Sequence, residues 1–371
     1  MSESLKDMAT LSCLVFGGGN GWGKCIAETL KAHGAAVCII EKDQSLDVVQ
    51  AAIKASTLVF IAIPDAAISS LLHTYSELLK TKIILDCATN KTGFQAELQQ
   101  LASLGASVCS THPMAASTGT LRGQNALIMP IGDNAAEAER HACAIYAALG
   151  MNCRRLDFCK HTELMTAVQM LPHIVQRLSI DVLGQALQKL DIRIGELADL
   201  ATANYLLAEL GLGRVAAQRP EVSAGIIETA WQDNFGRELM DNLRQSLQHI
   251  QHAANSRAEL QTQFSASTQC LDPDGTWRAD MALQSEAALI RLGNLRSQSL
   301  TIEAPNRVGM LRDILTVLAK YGIDMTALDS RLVANADGSE RVYFDIAISN
   351  EQAPHTAIAK ELAAIEAHFI G

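Results

Sequence analysis

The sequence predicts an α/β domain whose sheet is covered on both faces, followed by an all-helical domain and a small α+β module. Three observations carry this reading. Continuous apolar runs alternate with helical patterns over the first part of the chain, as in buried parallel strands. From 161 to 265 strand signal fades and 3.6-residue patterns dominate. From 298 strand-like and helical segments alternate again in a short βαββα, or βαββαβ-like, order. The domains are drawn at 1–155, 156–295 and 296–371.

The elements follow in order. LSCLVF (11–16) is an apolar run that ends in glycines, and Ile26, Ala27, Leu30 and Ala35 then recur on one helical face. AAVCII (35–40), STLVFIAIP (56–64), KIILDCA (82–88), ASVCST (106–111) and ALIMPI (126–131) are further strand runs, with a helix near 66–80. In the helical part, LMTAVQMLPHIVQRLSIDVLGQAL (164–187) and FGRELMDNLRQSLQHIQHAA (235–254) are long periodic stretches. Pro172 should kink or restart the first of them. LDPDGTW (271–277) is a turn signal before one more helix near 280–292. In the last module QSLTIEAP, ALDSRLVA (327–334) and ERVYFDIAIS (340–349) read as strands, ADGS (336–339) as a hairpin turn, and 308–322 and 356–365 as helices.

Composition excludes several classes. With 49% hydrophobic and 19% charged residues, the 371-residue chain can bury sizeable cores. A net charge of −10 argues against a general nucleic-acid binder, which needs a basic surface. It leaves room for an anionic small substrate held by a few arginines. The nine cysteines are odd in number, lack a C-x-x-C and sit mostly in apolar runs, so they read as reduced thiols, and no metal site is expected. The polar start MSESLKDMAT does not read as a signal peptide, and no apolar stretch is long enough to span a bilayer. The cytoplasm is the default expectation.

The strongest motif is Gly17-Gly18-Gly19-Asn20-Gly21-Trp22-Gly23, placed between a strand and a helix. A helix N-terminus offers free N–H groups and partial positive charge to a pyrophosphate, and glycines let the backbone approach it. The usual G-x-G-x-x-G fits with Gly18 first, Gly23 last and Asn20 in the middle, where tolerance of left-handed backbone would preserve the turn. Glu41 ends the second strand run, where an acid accepts hydrogen bonds from ribose hydroxyls and repels a 2′-phosphate. These features predict a Rossmann domain that binds NAD through Gly18, Gly19, Asn20, Gly21, Trp22, Gly23 and Glu41, with Ile63 and Pro64 alongside from the third strand end.

Ligands in such sheets lie beyond the carboxyl ends of the strands. Three polar stretches end strands: Ile63-Pro64-Asp65, then Asp86 to Lys91, which contains Thr89, then Thr111-His112-Pro113-Met114. An imidazole at His112 could take a proton from a substrate hydroxyl while hydride leaves the same carbon. The helical part supplies His161, His173, Arg177 and Arg214. His173 and Arg177, four apart, share a helix face, whereas His161 and His173 need not.

GGGNGWGKCIAETL, LDCATNKTG, THPMAASTG, HTELMTAVQMLPH and YLLAELGLGRVAAQRP, in this order, resemble the prephenate dehydrogenase family of tyrosine biosynthesis. APNRVGMLRDILTVLAKYGIDMTALDSR followed by YFDIAI resembles an ACT domain. The resemblance implies NAD-dependent oxidative decarboxylation of prephenate to 4-hydroxyphenylpyruvate. It gives His112 the role of proton acceptor at the ring hydroxyl, with Thr89 assisting. It assigns Arg214 to the ring carboxylate and places His161, His173 and Gln169 in the substrate site. It makes the helical domain a dimerisation domain, so a homodimer is expected. For the last module it implies an amino-acid effector such as tyrosine at Asn306, Val308, Gly309 and Met310.

The sequence departs from the family at Asn20, at Ala116 where glycine is frequent, at Leu206 where some members have a second arginine, and at Thr162 where an acid often follows the helix histidine. Arogenate and an amino analogue of prephenate therefore stay open as substrates. So do a hydroxyacid dehydrogenase using a lysine base, with Lys160 nearby, and a non-enzymatic sensor of NAD and an amino acid.

Overall fold

The apolar runs of the first domain become strands of one seven-stranded sheet in a computed structural model of the chain, which describes residues 8–119, 121–296, 299–334, 340–348 and 355–370. They are β1 (Ser12–Phe16), β2 (Ala36–Ile40), β3 (Leu58–Ile61), β4 (Ile83–Asp86), β5 (Ser107–Pro113) and β6 (Asn125–Ile131). A seventh, β7 (Asn152–Arg155), is too short and polar to be read from sequence. Between them run α1 (Gly21–Ala32), α2 (Leu46–Ala55), α3 (Asp65–Thr74), α4 (Ser76–Leu79), α5 (Gln95–Ser103) and α6 (Ala136–Ala148). The sheet order β2-β1-β3-β4-β5-β6-β7 is that of a Rossmann-like sheet.

Alternation within each strand divides the core. Cys13, Val15, Leu58 and Phe60 face a cluster with Ile26 and Leu30 of α1 and Ile145 and Tyr146 of α6. Leu14, Phe16, Val59 and Ile61 face the other side with Ile53 of α2, Ile68 of α3 and Leu98 of α5. Burial of a side chain such as Ile26 or Leu30, each fully covered, stabilises by about 1.5–3 kcal/mol. Ala35 is buried but lies beyond α1, after the left-handed Gly34.

Two expectations need correction. AAVCII is not a fully buried run: β2 is the sheet edge, and its residues alternate between exposed and covered. Nor is the sheet wholly parallel, because β6 runs antiparallel to β5, pairing Thr111 with Ile128 and His112 with Leu127. The described part of the connection, residues 114–124, carries no helix. A parallel return needs a longer crossover, usually helical.

The chain divides into two compact units, Met1–Ile174 with Pro220–Leu243, and Val175–Arg219 with Arg244–Gly371. The first unit therefore adds to the sheet a helical end: α7 (His161–Met165), a π-helical turn (Thr166–Met170), the start of α8 (Leu171–Leu190), α10 (Pro220–Gln232) and the start of α11 (Asn234–Ala253). Met170, Ile174 and Ala230 form its small core. The irregularity expected at Pro172 occurs as a π-helical turn, Thr166–Met170, directly before the regular helix that begins at Leu171; the helical pattern changes just ahead of the proline without a break in the helix.

The second unit holds the rest of α8 and α11, with α9 (Ala203–Ala216), α12 (Arg257–Leu271) and α13 (Thr276–Arg296). It also holds a four-stranded antiparallel sheet of order β11-β8-β10-β9. Those strands are β8 (Ser299–Pro305), β9 (Met325–Ala334), β10 (Glu340–Ile348) and β11 (His368–Phe369). Its helices α14 (Met310–Lys320) and α15 (His355–Ala364) supply Ile314, Ile358 and Leu362 to one core with Ile302 and Ile346. The order is the βαββαβ read from sequence, and the ADGS turn at 336–339 lies outside the described residues. No described helix is long and apolar enough to cross a membrane.

Candidate active site

The glycine turn connects β1 to α1. Gly17 (φ 78) and Gly21 (φ 52) occupy the left-handed region, which favours glycine. Asn20 does not: it is extended (φ −149, ψ 177), so the tolerance expected of it is not used. A Cβ on Gly23 would sit 2.1 Å from the Gly17 carbonyl oxygen, so this glycine is needed for close helix–strand approach. A Cβ on Gly17 would meet the Ala62 carbonyl oxygen at 2.4 Å. Gly17 is thus a structural member of the turn that the motif alignment passes over. No side chain caps α1, so the first-turn N–H groups of Gly21, Trp22 and Gly23 are left for an anion.

A Cβ on Gly18 would fall 2.8 Å from the Ile39 side chain, and one on Gly19 would fall 2.9 Å from Glu41. The Gly19 N–H donates to Glu41 Oε1 at 2.6 Å, so the exposed carboxylate is anchored beside the turn. The Trp22 ring packs edge-on against Tyr146 with centroids 6.3 Å apart, so its side chain belongs to the core beneath the turn. Ile63 is half-buried and Pro64 exposed at the start of α3. This cradle fits a dinucleotide: free helix-end donors for phosphates, no Cβ in the way, and an acid where a ribose would lie.

The second half of the site is a buried polar cluster at the β4 and β5 ends. His112 on β5 and His161, first residue of α7, are both almost fully buried, and His112 Nδ1 lies 3.1 Å from His161 Nε2. Their rings meet edge-on, centroids 5.2 Å apart. Burial, then the Lys91 cation, then His161 hold His112 well below its ordinary value. Burial and then Lys91 push His161 down to about 3. Both are therefore neutral imidazoles near pH 7.

Lys91 is itself buried and paired with Asp86, and its Nζ donates to the Thr111 carbonyl at 2.8 Å. Thr111 Oγ1 donates to the Asp86 carbonyl, while the Tyr146 hydroxyl lies 2.7 Å from the same Oγ1. The segment after β4 is fixed further by the Asn90 N–H on Asp65 Oδ2 (3.2 Å) and by Asn90 Nδ2 on Thr229 of α10 (3.3 Å). Sequence reasoning assigned no role to Asp86, Lys91 or Tyr146. A lysine five residues past an acid at an apolar strand end was the available signal for the first two.

The other expected residues are distributed as follows. Thr89 is exposed in the segment after β4, three residues beyond the last β4–β5 pair, Asp86 with Ser110. Gln169 lies half-buried in the π-turn, and its carbonyl is 2.8 Å from His173 Nδ1. Arg214 belongs to the second unit, exposed near the end of α9, where Arg177 donates to the Val215 carbonyl at 2.8 Å. In the α+β module, Asn306 donates to Glu340 (2.7 Å), Val308 is fully exposed and Gly309 is left-handed. Met310 packs in the module's core, so only its backbone is available to an effector.

A βαβ sheet with a glycine cradle and a polar cluster at its strand ends defines a nucleotide-binding domain of the dehydrogenase type. Residues 26–129 match the family model for the nucleotide-binding domain of prephenate dehydrogenase. No curated protein matches the sequence. Among solved structures, the arogenate dehydrogenase of Synechocystis aligns at 16% identity with a TM-score of 0.52, over 71% of this chain and 99% of its own. At that identity it shows a shared fold. The prephenate dehydrogenase of A. aeolicus, solved with hydroxyphenyl propionate and NAD+, aligns at 14% identity and a TM-score of 0.48 over 71% and 99%. An NADH-preferring ketol-acid reductoisomerase from an uncultured archaean aligns at 15% and 0.41 over 77% and 94%.

Proposed function

We propose that the protein is an NAD-dependent prephenate dehydrogenase, converting prephenate to 4-hydroxyphenylpyruvate with loss of carbon dioxide. The observation that carries this reading is His112: a neutral, buried imidazole at a strand end of a nucleotide-binding domain, held through Nδ1 so that Nε2 is left for a substrate hydroxyl. NAD, when bound, supplies the acceptor for the hydride from the ring carbon. The residues proposed to hold it are the first-turn amides of Gly21 to Gly23, with Gly18, Gly19 and Asn20 in the turn, Glu41 at the ribose, and Ile63 and Pro64 alongside.

The residues of the chain do the rest by position and proton transfer. His112 takes the hydroxyl proton as hydride leaves the same carbon. The ring ketone so formed is vinylogous to the ring carboxylate; loss of carbon dioxide sends the electron pair to the ketone oxygen and makes the ring aromatic, and protonated His112 returns its proton to that oxygen. Thr89, in the segment after β4, is assigned on the family resemblance to assist at the hydroxyl. Arg214 is assigned to the ring carboxylate, and Gln169, His161 and His173 to the substrate site, on the family resemblance. The same resemblance supports a homodimer in the cytoplasm and tyrosine as effector of an ACT-like module at residues 306–310.

The test is NADH formation with prephenate, arogenate and the amino analogue side by side. Turnover of prephenate at the highest kcat/KM is expected. Preference for arogenate or the amino analogue would move the assignment to that substrate. NAD binding without turnover of any of the three would refute a catalytic role.

A further inference from the structure

We propose that the buried Asp86–Lys91 ion pair, tied to the backbone beside His112, adds to burial in keeping His112 and His161 a neutral imidazole pair in which His161 fixes the tautomer of His112. This rests on the reading of His112 as proton acceptor. Lys91 touches neither substrate nor cofactor in this scheme and is a positioning residue.

The tautomer follows from one contact. To accept a proton at Nε2, neutral His112 must carry its hydrogen on Nδ1. That hydrogen then points at His161 Nε2, 3.1 Å away, which must be bare, so the His161 hydrogen sits on Nδ1. His161 Nδ1 is buried and has no partner, so nothing pulls its proton away. In many dehydrogenases and hydrolases a carboxylate would orient the imidazole and raise its basicity. Here an imidazole takes that place; burial is the larger cause of the low proton affinity of both rings, and the charge of Lys91 adds to it.

Geometry holds the cation there. Lys91 Nζ is tied to Asp86 and to the carbonyl of Thr111, the residue preceding His112. Thr111 is pinned by its own hydroxyl to the Asp86 carbonyl and Tyr146. The remaining titratable groups of the cluster do not offset it. Asp86 pairs with Lys91 through Oδ1 and is not among the groups that shift either ring, Asp65 of α3 accepts from Asn90, Tyr146 of α6 is held neutral by burial, and the Cys87 thiol is pushed up to about 12.

A base with low proton affinity suits this chemistry. As hydride departs, the hydroxyl becomes a protonated ketone and sheds its proton readily, so base strength matters less than the base being unprotonated. The Lys91 cation would secure that at pH values below the ordinary histidine range.

The test is a pH titration of ring-labelled histidines by NMR, with His112 assigned through His112→Asn, alongside the pH profile of kcat/KM for NADH formation. In the wild-type protein His112 should stay neutral to well below the ordinary value. In the paired variant Asp86→Asn/Lys91→Met, its titration and the acid limb of kcat/KM should move up together by at least about one pH unit, roughly tenfold in activity on that limb. Activity above about pH 8 should stay within roughly threefold. Lys91→Gln, which keeps a donor for Thr111, is the second variant should the first not fold, and wild-type His112 titrating at or above the ordinary value overturns the proposal whatever the variants do. An unmoved titration, or an equal loss of activity at every pH, also overturns it. If none of the three substrates is turned over, the reading of the function fails, and the NMR titration alone decides this one.

Discussion

Gly23→Ala tests the cofactor cradle most directly. The added Cβ would stand 2.1 Å from the Gly17 carbonyl oxygen, 2.7 Å from its carbon and 3.1 Å from the Ala62 Cβ. An ordinary contact begins at 3.4 Å, and the nearest obstacle is the Gly17 backbone with the short Ala62 side chain beside it, not a movable side-chain tip. Relief therefore requires the turn and the α1 N-terminus to separate by about 1 Å. A phosphate held by first-turn N–H groups at about 2.9 Å would then lie beyond hydrogen-bonding range. Losing two charge-assisted amide bonds at about 1.5–3 kcal/mol each raises the Kd for NAD by at least about 100-fold. Gly21→Ala is the control: its φ of 52 imposes backbone strain, but nothing lies within 4 Å of the new Cβ. It should cost about 1–2 kcal/mol at most. Calorimetric titration with NAD, with Tm measured beside it, separates the two. A Gly23→Ala protein that is folded and binds NAD within threefold of wild type would refute this account of the turn.

Further outcomes follow from the same geometry. His112→Asn should abolish NADH formation while the Kd for NAD stays nearly unchanged; full activity would sink the assigned base. Arg214→Ala should raise KM by about 100-fold, as for loss of one partner of a charge pair, and an unchanged KM would remove Arg214 from the site. Tyrosine should inhibit, and Val308→Asp, on a fully exposed position, should relieve inhibition with basal kcat intact; inhibition that persists would place the effector elsewhere. Acid should destabilise the fold through the buried histidines: unfolded, they titrate near 6.5, whereas folded His161 titrates at about 3 and His112 well below 6.5. Between those values the unfolded chain binds more protons, so stability is full above about pH 6.5 and falls as pH drops towards 3. Urea midpoints from about pH 7.5 to 5 should fall accordingly, and less steeply in His161→Gln; a flat series would contradict the burial of charge-free imidazoles.

The parts of the fold that were legible in sequence are those set by local pattern. Strands β1, β3, β4 and β5 are continuous apolar runs because both of their faces are covered, and the glycine turn reveals itself because Gly17 and Gly23 have no room for a side chain. Direction was not legible. β6 is as apolar as its neighbours, and the connection from β5, whose described residues form no helix, is what marks it as antiparallel. The division into units was hidden for a related reason: α8 and α11 run without interruption from one unit to the other, and no composition shift marks Ile174 or Leu243. In the site, His112 was readable from its strand end, but its partner is 49 residues away, and Lys91 reaches Thr111 across 20 and Thr111 reaches Tyr146 across 35. Such contacts depend on which strand ends are neighbours, and that order is a property of the sheet.

These distant contacts join acid sensitivity and catalysis into one physical effect. Burying two imidazoles beside an ammonium group opposes their protonation. It leaves a base free for substrate below neutral pH, and it makes the folded state lose stability wherever the unfolded chain would take up those protons. Both consequences scale with the same gap between folded and unfolded histidine affinity. Removing the Lys91 charge together with its Asp86 partner narrows that gap. The stability lost on acidification should therefore shrink in the Asp86→Asn/Lys91→Met protein as its acid limb of activity moves up. A scaffold role for the ion pair alone would change stability by a similar amount at every pH and leave the slope untouched. The slope of unfolding free energy against pH, measured on the same samples as the rate profile, distinguishes an electrostatic device from a structural strut.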